Sequence, residues 1–275
     1  MARLQRALQT TMTYFGFLLR FLVIPIIVFL AITWWDNKNN RPTLGFNNGK
    51  AVWIAILIHI VLAMVYTTPW DNYLVATGVW YYNPELVTGI VIGYVPIEEY
   101  TFFVLETILA GLWWWFLARR IPEPKQEFKP NRFVVYLSAC VLVILWLFFT
   151  YLFFFGGVEL TYLSIILFWA LPAILPQMLY GADILWHYRK LVFTAIFIPG
   201  LYLSLMDIIA LTDTTWSISK EQTTGIIFFN ILPLEEVLFF FITNILISFG
   251  MTLLLSKRGI KRFEDWKLNQ YRGLP

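Results

Sequence analysis

Long apolar segments separated by short polar ones dominate the pattern along the chain. Seven of these segments hold about 20 apolar residues each, the length that crosses a hydrocarbon core as a helix. They begin near Tyr14, Ala51, Leu86, Arg132, Tyr162, Lys190 and Thr224. The pattern therefore predicts an all-α integral membrane protein with seven transmembrane helices.

Two of the apolar segments are interrupted by the same polar motif, Pro96-Ile97-Glu98-Glu99 and Pro233-Leu234-Glu235-Glu236. A carboxylate at membrane depth costs several kcal/mol, so such a residue marks a candidate functional site. Each motif follows about ten residues after the start of its segment, which is roughly 15 Å of depth if the segment is helical. Proline disfavours helix at the preceding residue, so we expect breaks at Val95 and Leu232 and a helix start beside the glutamates.

The region around the first motif recurs near the C-terminal end. Asp71, Trp80 and Thr88 match Asp207, Trp216 and Thr224 at an offset of 136 residues, and the Pro-x-Glu-Glu motifs match at 137. We expect two parallel three-helix repeats joined by a linking helix, since four crossings precede the second unit. The predicted units are residues 1–118, a linker and linking span at 119–160, the second repeat at 161–256, and a basic tail at 257–275.

Charge decides the expected orientation. Of the 20 Lys and Arg residues, 16 lie on one side of the predicted membrane, against Arg3, Arg6 and Lys220 on the other. Basic residues near the span ends favour the cytoplasm. We predict a multi-pass protein of the cell membrane with its N-terminus outside and its C-terminus cytoplasmic. The composition, 59% hydrophobic and 13% charged, agrees with a membrane protein.

Three further acidic residues lie near the motifs. Asp71 and Asp207 fall near the outer ends of spans 2 and 6 and are natural partners for the glutamates. Glu106 lies seven residues after Glu99, almost on the same helical stripe, whereas Glu98 points about 100° away. The second repeat has Thr243 at the place of Glu106. The alternative is that the glutamates only form hydrogen-bonded pairs that fix helix packing.

The repeated motif, with its upstream Asp and Trp in a small polytopic chain, resembles the lycopene cyclases of the heterodimeric type, with both homologous halves fused. It is also similar to the cyclase half of the fungal bifunctional lycopene cyclase/phytoene synthases. The resemblance implies a cofactor-independent isomerisation of lycopene to γ-carotene and β-carotene. An acid protonates the terminal double bond of the ψ end group, a neighbouring double bond attacks the cation, and proton loss leaves a β-ionone ring.

The resemblance also suggests roles for the candidate residues. A carboxyl removed from water stays protonated near neutral pH, as a proton donor must. The candidate donors are Glu98, Glu99, Glu235 and Glu236. The candidate partner groups or bases are Asp71, Asp207 and Glu106.

Aromatic faces near the motifs could stabilise the cations by up to about 2 kcal/mol. Each of these side chains could instead simply pack or face lipid. The candidates are Trp70, Trp80, Phe102, Phe103, Trp216, Phe239 and Phe240.

No cofactor, metal or nucleic-acid partner is predicted. The chain has no G-x-G-x-x-G fingerprint, whereas Gly89 and Gly93 form a G-x-x-x-G pattern typical of close helix packing. His59 in span 2 and His187 in a loop lack a second ligand at metal spacing. Cys140, the only cysteine, lies in span 4 and is expected to pack there. The expected partners are the bilayer, lycopene and other enzymes of carotenoid synthesis.

Other functions remain to be weighed. A prenyltransferase would need an aspartate-rich diphosphate site, which the chain lacks, and a retinal protein would need a lysine within a span. A proton-coupled transporter would also use buried carboxylates and repeats. Within carotenoid chemistry, ε- or γ-ring formation, cyclisation of C50 chains and hydration of the end group are alternatives.

Overall fold

The computed structural model describes residues 12–272 of the chain. Within that range seven helices are long and apolar enough to cross a membrane, so the predicted all-α membrane fold is confirmed. They are α1 (Tyr14–Lys38), α2 (Lys50–Ala76), α3 (Ile97–Ala118), α4 (Arg132–Phe155), α5 (Thr161–His187), α6 (Arg189–Thr212) and α7 (Leu234–Leu255). An amphipathic helix, α8 (Lys257–Arg272), follows the last span.

Short strands fill the connections before α3 and α7. The first set is β1 (Trp80–Tyr82), β2 (Val91–Ile92) and β3 (Val95–Pro96). The second set is β4 (Trp216–Ile218), β5 (Ile227–Phe228) and β6 (Leu232–Pro233). The strands β2 and β3 form one antiparallel hairpin, and β5 and β6 form another.

The predicted starts of spans 3 and 7, at Leu86 and Thr224, are wrong by about ten residues, roughly three helical turns. The helices begin at Ile97 and Leu234 because the preceding prolines stand at their N-caps in extended backbone. The expected break before each proline is thereby confirmed. The glutamates lie in the first helical turn rather than ten residues along a helix, so the depth inferred from a continuous helix is wrong.

Gly89 and Gly93 belong to the loop and hairpin before α3 and not to a helix. Their φ angles are 78° and 67°, a region that residues with a Cβ rarely adopt. The G-x-x-x-G interpretation as a helix-packing motif is therefore wrong. An apolar sequence of this length reads equally well as a helix or as a buried hairpin, and the positive φ angles require the hairpin.

The helices differ in how far they are surrounded by protein. The most apolar part of α3 is 67% buried and that of α7 is 56% buried, whereas α4 is only 11% buried. The two helices that carry the acidic motifs are thus central, and α4 lies at the edge. Cys140 on α4 is exposed, so the expected packing role for this cysteine is wrong.

The strands β1 and β4 pair with each other across the middle of the molecule. Tyr81 lies opposite Ser217, with Trp80 opposite Ile218 and Tyr82 opposite Trp216. Tyr81 and Ser217 are separated by 136 residues, the offset of the repeated region. The ribbon is therefore symmetric about the Tyr81–Ser217 pair, and this local two-fold relates the chain segments that flank the two acidic motifs.

Two ion-pair clusters fasten the helices at the ends remote from the motifs. Asp36 of α1 lies 2.9 Å from Arg120 and 3.6 Å from Arg119, just beyond the end of α3. Asp183 of α5 receives Arg262 of α8 at 2.8 Å. These pairs join the first span to the third, and α8 to the fifth.

Candidate active site

The two glutamates of each motif have separate environments. Glu98 Oε1 accepts a hydrogen bond of 2.6 Å from the Thr88 backbone amide, and Glu235 Oε1 accepts one of 2.7 Å from the Thr224 amide. Both side chains are fully buried. The first glutamate of each motif thus ties the loop before the helix to the helix start.

The second glutamates accept hydrogen bonds from tyrosines. Tyr14 donates to Glu99 Oε2 at 2.5 Å, and Tyr162 donates to Glu236 Oε1 at 2.6 Å. Tyr82 adds a second donor to Glu99 at 3.1 Å. Burial, together with the nearby Glu99 charge, raises the pKa of the Tyr82 phenol well above its ordinary value. This phenol therefore keeps its proton and acts as a donor.

Tyr14 and Tyr162 are site residues that the sequence reasoning missed. They begin α1 and α5, and their backbone amides accept matching partners, the carbonyls of Leu86 and Gln222. Their offset is 148 residues, against 136 for the region around the motifs. The extra twelve residues hide the upstream similarity, but a gapped alignment of the two halves would have paired the two tyrosines.

Glu99 and Glu236 line one small space, which we call the central chamber. Asp207 also lines it, so carboxyl groups from both motifs and from α6 meet there. Its volume is about 30 Å³, enough for only one or two water molecules. The other candidate residues that line it are Trp80, Phe102, Trp216, Phe239 and Phe240. Trp70 and Phe103 are buried nearby but do not line the chamber.

Asp71 and Asp207 correspond in sequence but not in their contacts. Asp207 Oδ1 accepts a hydrogen bond of 2.8 Å from Trp216 Nε1. Asp71 is fully buried, and its carboxylate oxygens have no hydrogen-bond partner within the described residues. Its electrostatic neighbour is Glu99. The structure therefore places Asp207 in the chamber and Asp71 behind it.

Glu106 lies outside the central chamber, on the next part of α3. Its Oε1 accepts a hydrogen bond of 2.6 Å from Thr243 of α7. Both residues border a second cavity of about 360 Å³, which is also lined by Phe103 and Trp169. The expected stripe of Glu99 and Glu106 along α3 thus serves two adjacent spaces.

The two histidines are remote from any cluster of ligands. His59 Nδ1 contacts the Ala55 carbonyl oxygen at 2.7 Å. His187 is the buried last residue of α5, so its predicted place in a loop is wrong. No group of three or more His, Cys, Asp or Glu side chains in residues 12–272 is arranged to hold a metal ion.

The chamber combines acids with aromatic walls and little room for water. No Lys or Arg lines it, so the described carboxyl groups have no basic partner there. Carboxyl groups that crowd together away from water retain protons that they can donate. Aromatic faces beside them attract a cation. This arrangement suits proton transfer to an apolar molecule followed by protection of a carbocation.

Comparison with known proteins identifies the family. The chain is 38% identical over 213 residues to a lycopene beta-cyclase of Halobacterium salinarum, covering 75% of this chain and 84% of that protein. The chain belongs to the lycopene cyclase family. Two further relatives of this lycopene cyclase family member are fungal bifunctional lycopene cyclase/phytoene synthases. That of Podospora anserina is 36% identical over 201 residues, and that of Aspergillus oryzae is 30% identical over 229.

The fungal matches cover 70% and 83% of this chain but only 34% and 37% of those proteins. The chain thus spans about a third of the length of the bifunctional relatives. No protein-family model matches the chain. No solved structure matches it significantly.

Proposed function

We propose that this protein is a lycopene beta-cyclase that converts the acyclic ψ end groups of lycopene to β-ionone rings without a cofactor. It is an isomerase, or intramolecular lyase, of carotenoid biosynthesis. The observation that carries the proposal is the meeting of Glu99 and Glu236 in one aromatic chamber. Membership of the lycopene cyclase family supplies the substrate class.

The reaction requires a proton to be delivered and another to be returned. A chamber carboxyl protonates the terminal double bond of the end group, which leaves a tertiary cation. The neighbouring double bond attacks this cation and closes the ring, and a carboxylate then removes a proton from the ring cation. No atom is gained or lost overall, so the enzyme is ready for the next cycle once the protons redistribute among its carboxyl groups.

The residues divide by their contacts. Glu99 and Glu236 are the proposed donor pair, held by Tyr14 and Tyr162. Asp207 is a proposed base because it shares their chamber. Trp80, Phe102, Trp216, Phe239 and Phe240 supply the aromatic walls that stabilise the cation by up to about 2 kcal/mol.

The remaining acidic candidates have supporting roles in this proposal. Glu98 and Glu235 hold the loops before α3 and α7 through single backbone amides. Asp71 acts electrostatically on Glu99 from behind the chamber. Glu106 stands at the neighbouring cavity, and Trp70 and Phe103 pack the walls from outside.

The chain consists, in this proposal, of two parallel repeats at residues 1–118 and 161–256, with the linking helix between them. The matching contacts of the two motifs and the symmetric pairing of β1 with β4 support this division. One composite site, rather than two separate ones, follows because both second glutamates border the same chamber.

We further propose that the protein lies in the cell membrane with its N-terminus outside and α8 at the cytoplasmic surface. The charge distribution supports this orientation. Arg3 and Arg6, which contribute to the argument, lie outside the described residues. Reporter fusions after residue 275 and in the loop before α4 should both report the cytoplasm, whereas periplasmic-type activity at either would reverse the orientation.

The decisive experiment is expression in a host that accumulates lycopene, followed by pigment chromatography. We expect γ-carotene and β-carotene, and conversion by isolated membranes without added flavin or nicotinamide and in the presence of EDTA. Unchanged lycopene with verified membrane insertion would refute the cyclase function. Chromatography also separates β-rings from ε-rings, γ-rings and hydrated end groups. Copurification from a carotenoid-producing host tests association with other enzymes of the pathway.

A further inference from the structure

A second cavity opens toward the lipid beside the central chamber, between α2, α3, α5 and α7. Its inner end is bordered by Phe103, Glu106 and Thr243 and has a volume of about 360 Å³. It continues past His59 and Gln177 into a space of about 490 Å³ that reaches Phe263 of α8. We call this continuous depression the groove.

The groove is long, narrow and mainly apolar. Along α5 it runs from Trp169 to Tyr180, which corresponds to about 16 Å of helix. The acidic group that borders it, Glu106, stands at the inner end beside the chamber wall. A linear hydrocarbon chain fits such a space, whereas a compact polar ligand would find few partners along it.

The pseudo-two-fold relates this face to another one on the opposite side of the molecule. Tyr66 donates a hydrogen bond of 2.8 Å to the Trp169 carbonyl, and Tyr202 donates one of 2.9 Å to the Phe21 carbonyl. The tyrosines differ by 136 residues and their acceptors by 148, the offsets already found for the motif regions and for Tyr14 and Tyr162. The two faces can therefore be compared residue by residue.

The opposite face is filled by aromatic side chains. Phe29 packs against Trp113 at 5.7 Å and against Phe116 at 5.6 Å between ring centroids. At the same offsets the groove face has Gln177, Gly250 and Leu253. Three bulky rings on one face correspond to a smaller or more flexible residue on the other, and this substitution explains why only the groove face is open.

Two contacts keep the groove face open. Gln177 turns its amide toward α7, where Nε2 donates a hydrogen bond of 3.1 Å to the Leu246 carbonyl. His59 Nε2 occupies the space that a Cβ at Gly250 would take. A larger residue at position 250 would therefore displace His59 into the groove.

We propose that the groove holds the linear polyene chain of the acyclic carotenoid, whose ψ end enters sideways from the bilayer and reaches the chamber wall beside Glu106. This inference rests on the proposed function and specifies how that substrate binds. The central chamber has too little volume for an end group in this conformation, whereas the groove is adjacent and open. Because one of the two symmetric faces is closed, a molecule presents one end at a time and must leave and re-enter before its second ring forms.

The first test fills the groove and compares a matched position on the same helix. Ala63 lines the groove, whereas Val65 lies outside it and is 72% exposed. We expect Ala63→Trp to lower lycopene conversion at least about tenfold and Val65→Trp to change it less than about twofold. Wild-type conversion by Ala63→Trp would overturn the groove. Unchanged lycopene with the wild-type protein would instead overturn the proposed function.

A second test needs no bulky substitution and no turnover. In a Cys140→Ser background, Ala173→Cys places a thiol in the groove and Val65→Cys places one at the lipid surface. Lycopene at about ten times its Kd should slow labelling of Ala173→Cys by a membrane-permeant maleimide about tenfold and leave Val65→Cys unaffected. Equal labelling with and without lycopene, or equal slowing at both positions, would overturn the proposal and would indicate that lipid chains occupy the groove instead.

Discussion

Thr243 of α7 donates a hydrogen bond of 2.6 Å to Glu106 of α3, although the two residues hold corresponding positions of the repeated region. Corresponding residues touch each other only close to a two-fold axis, which the pairing of Tyr81 with Ser217 marks in the β1–β4 ribbon. Glutamate faces threonine at this contact, so the symmetry is broken there. The inner end of the groove consequently has one carboxyl group, with one hydroxyl to hold it.

Removing the hydroxyl from this pair should affect both stability and activity. Thr243→Val leaves the buried Glu106 carboxyl without its donor, and we expect a loss of about 1–3 kcal/mol in the free energy of unfolding. Denaturation in detergent measures this loss, and pigment chromatography measures the accompanying fall in conversion. Thr243→Ser keeps the hydroxyl and should resemble the wild type. Equal stability of Thr243→Val and Thr243→Ser would contradict a functional contact.

The two glutamates of each motif should respond differently to substitution. Glu99→Gln and Glu236→Gln remove an acidic proton from the chamber, so we expect conversion to fall about 100-fold or more. Glu98→Gln and Glu235→Gln keep an oxygen that accepts the Thr88 or Thr224 amide. These two variants should retain most of the activity, as measured by the initial rate of ring formation in membranes.

Verified insertion and equal protein levels are the controls for this comparison. If Glu98→Gln lost as much activity as Glu99→Gln, the division between anchoring and donor glutamates would be wrong. If all four variants were fully active, acid catalysis by these motifs would be refuted, although membership of the family would remain.

The apolar pattern and the repeated motif predicted the seven spans and the main acidic residues, because membrane length and buried carboxylates leave clear signals in a sequence. The division between Glu98 and Glu99 required the structure. Adjacent helical residues point about 100° apart, but α3 is buried around most of its surface, so hydrophobicity does not show which direction leads to the chamber. Tyr14 and Tyr162 stayed hidden because the offset between the halves changes from 136 to 148 residues.

The shorter of the two hydrogen bonds to Glu99 should matter more. Tyr14 donates at 2.5 Å and Tyr82 at 3.1 Å. A hydrogen bond to a charged group contributes about 1.5–3 kcal/mol, so Tyr14→Phe should lower conversion at least about tenfold. Tyr82→Phe should have a smaller effect. Rates of ring formation at saturating lycopene would decide the order, and a larger effect of Tyr82→Phe would show that Tyr14 only packs against Trp216.

The ion-pair cluster at the other end of α1 should affect stability and leave the chemistry intact. Asp36→Asn removes the carboxylate beside Arg119, whose side chain is 1% exposed, and we expect a loss of about 1–3 kcal/mol in the free energy of unfolding. Arg41 also contacts Asp36 but is 49% exposed, so Arg41→Gln should cost no more than about 0.5 kcal/mol. Denaturation in detergent separates the two. A fall in the activity per folded molecule of Asp36→Asn would contradict a purely structural role.

Gln177 offers a way to close the groove with the side chain that closes the opposite face. Phe29 is its counterpart there, and Gln177→Phe should place a ring where the polyene is proposed to lie, so conversion should fall at least about tenfold. The variant also loses the hydrogen bond to the Leu246 carbonyl, and Gln177→Leu serves as the control because it loses the same bond while adding no ring. If Gln177→Leu retains conversion and Gln177→Phe does not, volume in the groove is the cause. If both variants lose conversion equally, the hydrogen bond to α7 matters and the volume of the groove at this position does not.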